Sequence, residues 1–134
     1  MSFATALVVG VLLAAPVLGL AYVLSRSRAL DLMAMQLAAI STVYAGSSLA
    51  GGSFAVISAE LAAITAFVAV SLFGRWGSPA LLVVGYLAHG AWDILHHTGA
   101  IPTFLPDWYA PFCLAYDGAV GAFAAAFLLQ RSEG

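Results

Sequence analysis

ALDLMAMQLAAISTVYAGSSLAGGSFAVISAELAAITAFVAVSLF, residues Ala29–Phe73, is the stretch on which the fold turns. It is apolar and about twice as long as one membrane crossing, since about 20 residues cover about 30 Å of hydrocarbon. As a single helix it would run about 65 Å at 1.5 Å per residue and leave much of its apolar surface in water. Ala50-Gly51-Gly52-Ser53 stands near its middle, and paired glycines signal a turn. The stretch therefore reads as two helices, 29–49 and 54–73.

The flanks extend the same pattern. Phe3–Leu24 is long enough for a crossing, and membrane helices tolerate residues such as its Pro16 and Gly19. It lacks the basic start of a secretory signal and is too long for a signal core, so it reads as a retained helix. Ser25-Arg26-Ser27-Arg28 is the break after it. On the other side, Gly74-Arg75-Trp76-Gly77-Ser78 is a break, and Pro79 suits the first turn of a helix over 79–98. A loop with Pro102, Pro106 and Asp107 leads to a fifth helix over 109–130, with Pro111 in its first turn. The expected fold is all-α: one integral membrane domain, residues 1–134, built as a polytopic bundle of five transmembrane helices.

Composition agrees. Hydrophobic residues make up 63% and charged residues 7% of the 134, against about 45–50% and about 25% in soluble domains. Too little charge is present to cover a surface facing water. Lysine is absent, and four arginines with a net charge of −2 form no basic patch, which argues against nucleic acid as a partner. The lone Cys113 excludes an internal disulfide and a cysteine zinc site and reads as a small apolar residue. With five helices, Arg26, Arg28, Arg75 and Arg131 all fall on one side. The positive-inside rule makes that side cytoplasmic and puts the N-terminus outside and the C-terminus in the cytoplasm.

The ionisable residues inside the spans are Glu60, His89, Asp93, His96, His97 and Asp117. Charge within a span is costly and marks function by default. Counted by helix rise, Tyr44, Glu60, Asp93, Asp117 and His89 lie about 8–14 Å below the outer surface, with His96 and His97 near the mouth. Residues of four helices thus meet in one layer of the outer leaflet. The densest part is His89-Gly90-Ala91-Trp92-Asp93-Ile94-Leu95-His96-His97. Its three- and four-residue spacings place three imidazoles and a carboxylate on one stripe, and Gly90 and Ala91 allow a neighbouring helix close.

Imidazole with carboxylate is the donor set of a divalent metal, zinc before iron or manganese. His89, Asp93 and His97 are the expected first ligands, with His96 beside them. Glu60 and Asp117 would be further ligands or the general base. Tyr44, Trp92 and Tyr109 would line the substrate. The bland alternatives are a hydrogen-bonded network that locks the helices together, interfacial histidines at 96 and 97, and aromatic anchors at Trp92, Trp108 and Tyr109. A bis-histidine haem wants histidines on facing helices, whereas these share one. A retinal Schiff base is excluded without lysine.

Tyr44-Ala45-Gly46, Glu60, the HGxWDxxHH helix, Pro106-Asp107-Trp108-Tyr109 and Tyr116-Asp117 together resemble a group of small, uncharacterised bacterial integral membrane proteins. That resemblance implies a bacterial inner-membrane setting and no particular activity. The site is also similar, in its logic only, to membrane hydrolases of the alkaline ceramidase and adiponectin receptor kind, whose seven-helix pattern is not met here.

Three functions follow as expectations. The first is an intramembrane metal-dependent hydrolase or water-adding enzyme, acting on a membrane lipid or another apolar small molecule. The second is a proton-coupled carrier using the same residues as a relay, which at five helices would need to form a homo-oligomer. The third is a structural membrane subunit.

Overall fold

The computed structural model describes residues 1–128 and contains helices and no strand among them. In chain order these are α1 (Phe3–Val23), α2 (Arg26–Ile40), α3 (Thr42–Ser48), α4 (Phe54–Trp76), α5 (Ala80–His97) and α6 (Tyr109–Phe123), followed by a π-helical turn, Ala124–Leu128. Arg131 and the last residues of the expected fifth helix, to Gln130, lie outside the described residues.

Local chemistry sets the boundaries. The Ser2, Ser25 and Ser53 hydroxyls accept from the backbone N–H three residues on, at 3.1, 3.5 and 3.3 Å. Each thereby caps a helix start. Capping at Ser25 pulls Arg26 and Arg28 into the first turn of α2, where the sequence suggested a loop. The expected helix 29–49 is bent as well as longer. Ser41 and Thr42 hydroxyls donate back to the Ala38 and Ala39 carbonyls at 2.7 Å, and such back-bonding bends helices. Gly51-Gly52 makes the expected turn: Gly52 N–H reaches the Ser48 carbonyl at 2.6 Å, where a Cβ would collide. Helix α4 runs on past 73 to Trp76, through Gly74, which is buried against Leu82, and Arg75 suits a helix C-terminus.

Three helical segments are long and apolar enough to cross a membrane: Phe3–Val23, Arg26–Ser48 and Phe54–Trp76. Their outer faces are apolar, with Val8, Leu12, Leu20, Phe54, Leu61 and Phe73 all exposed. Polar groups are inside, where Glu60, His89, Asp93, His96 and Asp117 are each no more than 2% exposed. Apolar outside and ionisable inside is the reverse of a protein in water, and it is compatible with a membrane protein.

Helix α6 packs between α1 and α5, and α4 packs on α2, α3 and α5. Small residues of α1, Ala6, Gly10 and Ala14, are buried at four-residue spacing, which lets helices approach closely. Gly10 sits against the Phe112 backbone carbonyl of α6. Gly10→Val is therefore expected to cost about 1–3 kcal/mol by overpacking, read as a lowered unfolding temperature in detergent, whereas Gly19→Ala, where a Cβ meets nothing, changes little.

Helices α4 and α5 run antiparallel along a seam of seven-residue steps. Glu60 faces His96 at 2.7 Å, the Phe67 ring meets the His89 ring at 5.0 Å, and Gly74 abuts Leu82. The two ends of the bundle differ sharply. At one, Arg75 bonds Asp31 and Ser27, near Arg26 and Arg28 at the start of α2. At the other, the His97 ring lies against Phe3 at the start of α1, with centroids 5.4 Å apart. The ionisable cluster belongs to this second half.

Candidate metal centre

Helix α5 supplies His89 and Asp93, one turn apart, and α6 supplies Asp117. Gly90 brings the helices together there, since a Cβ on it would stand 3.2 Å from Leu114 and 3.9 Å from the Asp117 Cβ. His89 Nδ1 is 2.6 Å from Asp117 Oδ2 and 3.7 Å from Asp93 Oδ2. Asp93 Oδ1 accepts from the Tyr44 hydroxyl at 2.8 Å. The remaining polar atoms, His89 Nε2, Asp93 Oδ2 and Asp117 Oδ1, are buried with no hydrogen-bond partner.

One ligand atom from each of these three residues lies within 4.8 Å of the others. Two ligands on one ion at bond lengths of about 2.0–2.2 Å are at most about 4.4 Å apart. A small side-chain adjustment therefore closes all three around one cation, and the group is able to hold a metal. Charge points the same way. Two carboxylates and one imidazole are balanced only by a further proton or a cation, and the described arginines, Arg26, Arg28 and Arg75, belong to the far end of the bundle.

Glu60 and His96 do not join this group. His96 Nδ1 is 2.9 Å from the Trp92 carbonyl and must carry the hydrogen, because a carbonyl only accepts. His96 Nε2 faces Glu60 Oε1 at 2.7 Å. That contact holds one proton, on the carboxyl or on the ring, so both nitrogens of His96 are spoken for. The Trp92 indole N–H points to Glu60 Oε2 at 3.4 Å. This is a neutral proton-sharing pair and not a set of free metal donors.

His97 is a correction to the stripe expected from spacing. Its side chain is exposed and packs on Phe3, while His89, Asp93 and His96 are buried. The helix turns through 100° per residue, so adjacent positions 96 and 97 cannot share the inward direction. Of the expected trio His89, Asp93 and His97, the structure brings His89 and Asp93 together with Asp117 and leaves His97 outside the group.

Tyr44 links the parts. Its ring stacks on His96, with centroids 3.7 Å apart, and meets the edge of Tyr109 at 5.7 Å. Above it is a cavity of about 210 Å³. Tyr44 and His96 form its buried floor, and His97, Thr103, Leu105 and Asp107 line its walls and mouth. Tyr44 thus separates the cavity from the Asp93 carboxylate. The sequence singled out Tyr44 but missed Thr103, Leu105 and Asp107, which show only as a polar, proline-containing loop. It also missed Phe67, whose one signal is its place seven residues after Glu60.

Fold and site define an all-helical protein, apolar enough for a membrane, that encloses a His/Asp cluster. The chain belongs to a family of unknown function, DUF6010, which matches residues 5–130. No curated protein and no solved structure matches it.

Proposed function

We propose that the protein is an intramembrane metal-dependent enzyme, a hydrolase or water-adding enzyme for an apolar substrate, with His89, Asp93 and Asp117 as ligands. The observation that carries this reading is the buried trio itself: one ligand atom from each of His89, Asp93 and Asp117 lies within 4.8 Å of the others inside one apolar bundle. Asp93 Oδ2 and Asp117 Oδ1 are buried without a hydrogen-bond partner, each such group costs about 1–3 kcal/mol, and a cation between the two carboxylates would offset that cost. Three protein ligands leave a coordination position open, as in catalytic rather than structural sites. One imidazole with two carboxylates is a harder donor set than three histidines, so iron or manganese gains on zinc.

A divalent ion here would supply Lewis acidity and an activated water. The chain's own groups supply the rest. Asp117 holds the His89 ring through Nδ1 at 2.6 Å, which sets the two groups side by side for a shared ion. Tyr44 positions Asp93 and keeps the cavity's contents off the centre until its ring moves. The Glu60–His96 pair keeps one transferable proton beside the cavity floor, which suits general acid–base work. A carrier would need a polar route through the arginine half. That half is packed largely with Leu30, Met33, Leu37 and Leu82, which weighs against it.

Elemental analysis of the purified protein tests the reading. The expected result is close to one iron, manganese or zinc ion per chain, and chelation that lowers thermal stability. Metal-free protein indifferent to chelators would end it.

We also propose five crossings in a bacterial inner membrane, with the N-terminus outside and the arginine end in the cytoplasm, as the arginine distribution supports. In a Cys113→Ser background, single cysteines at Ser27 and Thr103 are expected to label with a membrane-impermeant thiol reagent from opposite sides of the membrane. Labelling of both from one side would refute the topology.

A further inference from the structure

The cavity over Tyr44 is lined without a single lysine or arginine. Asp107 stands exposed at its mouth, beside the exposed imidazole of His97. Beneath its floor lie the carboxylates of Asp93 and Asp117. The described arginines that sequence reasoning placed on one side gather at the opposite end, around Asp31 and Ser27. With the two carboxylates beneath the floor balanced by the ion proposed above, the negative charge left at the cavity is that of Asp107 at its mouth, and a low-dielectric wall focuses its field. Among the described lining residues no lysine or arginine is present to pair with a phosphate, sulfate or carboxylate group, and an ammonium group has an acceptor at the entrance.

Size adds a second constraint. At about 210 Å³ the cavity is smaller than the about 300–1,000 Å³ that encloses a whole drug-sized ligand. It holds a head group and leaves a tail outside. Next to it in the chain, Phe104 and Trp108 stand 43% and 37% exposed. Both flank residues at the cavity's edge, Thr103, Leu105 and Asp107, and offer an apolar surface along which a tail can lie.

We propose that this cavity is the recognition site for an amphiphile with a cationic, amine-bearing head group. The proposal rests on the functional reading above in that it names the substrate class of the same centre. Its binding step is read without turnover. Asp107 accepts the ammonium at the mouth, and the tail remains on the apolar exterior.

The test uses full-length protein in a non-ionic detergent near neutral pH, with octylamine, octanol, octanoate and ethanolamine as probes in calorimetric titration. Octylamine is expected to bind at least about tenfold more tightly than octanoate, with octanol between them. Asp107→Asn, a change at an exposed loop carboxylate, is expected to bring the octylamine–octanoate ratio within about threefold. Octanoate binding as well as octylamine, or a ratio unmoved in Asp107→Asn, overturns the proposal. Ethanolamine binding as tightly as octylamine overturns the amphiphile, because no tail is then used. Metal content measured on the same samples keeps the two readings apart: selective amine binding by metal-free protein leaves the cavity proposal standing and removes the metal centre.

Discussion

Protein carrying His89→Ala is expected to hold no stoichiometric divalent metal, where the wild type holds close to one ion per chain. His89 is the one imidazole of the centre, and its Nδ1 faces Asp117 at 2.6 Å and Asp93 at 3.7 Å. Alanine removes a ligand and leaves two buried carboxylates facing each other. Breaking a buried ionic pair by deleting one partner costs about 3–5 kcal/mol, so the variant should also unfold at a clearly lower temperature. That loss alone does not separate a missing ligand from misfolding, which makes Asp117→Asn the sharper experiment. An amide keeps the carboxylate's shape and can still accept from His89 Nδ1. Folding should then survive while metal affinity falls at least about 10–100-fold, the cost typical of losing even a carboxylate that only orients a ligand. Wild type and Asp117→Asn with equal metal affinity would show that the cluster is a hydrogen-bonded network and nothing more.

How far the sequence reached can be judged from these same residues. Gly51-Gly52 divided the long apolar stretch correctly, because a backbone that must pass the Ser48 carbonyl closely leaves no room for a side chain. The inward place of Glu60, His89, Asp93 and Asp117 was legible too, since an apolar exterior gives charge nowhere else to go. Pairing was not legible. On α5 alone, Asp93 is equally well spaced for His89, His96 and His97, and helical spacing names neighbours on a face without choosing partners across it. That choice belongs to the α4–α5 seam, whose seven-residue steps send Glu60 to His96 and Phe67 to His89. The seam is written in both segments, but its register is set by packing, with Gly74 against Leu82 at the far end. The interruption at Ser41, between α2 and α3, was missed for a related reason: the stretch carries no glycine or proline there, and the hydroxyl back-bonding of Ser41 also occurs at Thr65 and Ser71 inside the unbroken α4. Tyr44 reaches Asp93 from beyond that interruption.

The division of the polar layer into a metal centre and a separate proton pair makes its own prediction, with an effect as large as the first. Glu60→Met and His96→Leu should each destabilise the protein by about 3–5 kcal/mol, because each strands a buried partner. Glu60→Met combined with His96→Leu should recover most of that loss, since replacing a whole buried pair by packed apolar groups is often neutral or stabilising by about 1–4 kcal/mol. A coupling energy of several kcal/mol between positions 36 residues apart would be far above the few tenths seen for independent sites. The decisive reading is metal content measured beside stability. All three variants should keep the ion, because neither nitrogen of His96 is free and Glu60 is turned towards His96 and Trp92. The double variant should then be a folded, metal-loaded protein without its proton pair, and any turnover the wild type shows should fall in it with metal occupancy unchanged. If the single variants strip the metal, Glu60 and His96 belong to one shared centre. If the double variant is as unstable as the two singles summed, they are not a pair.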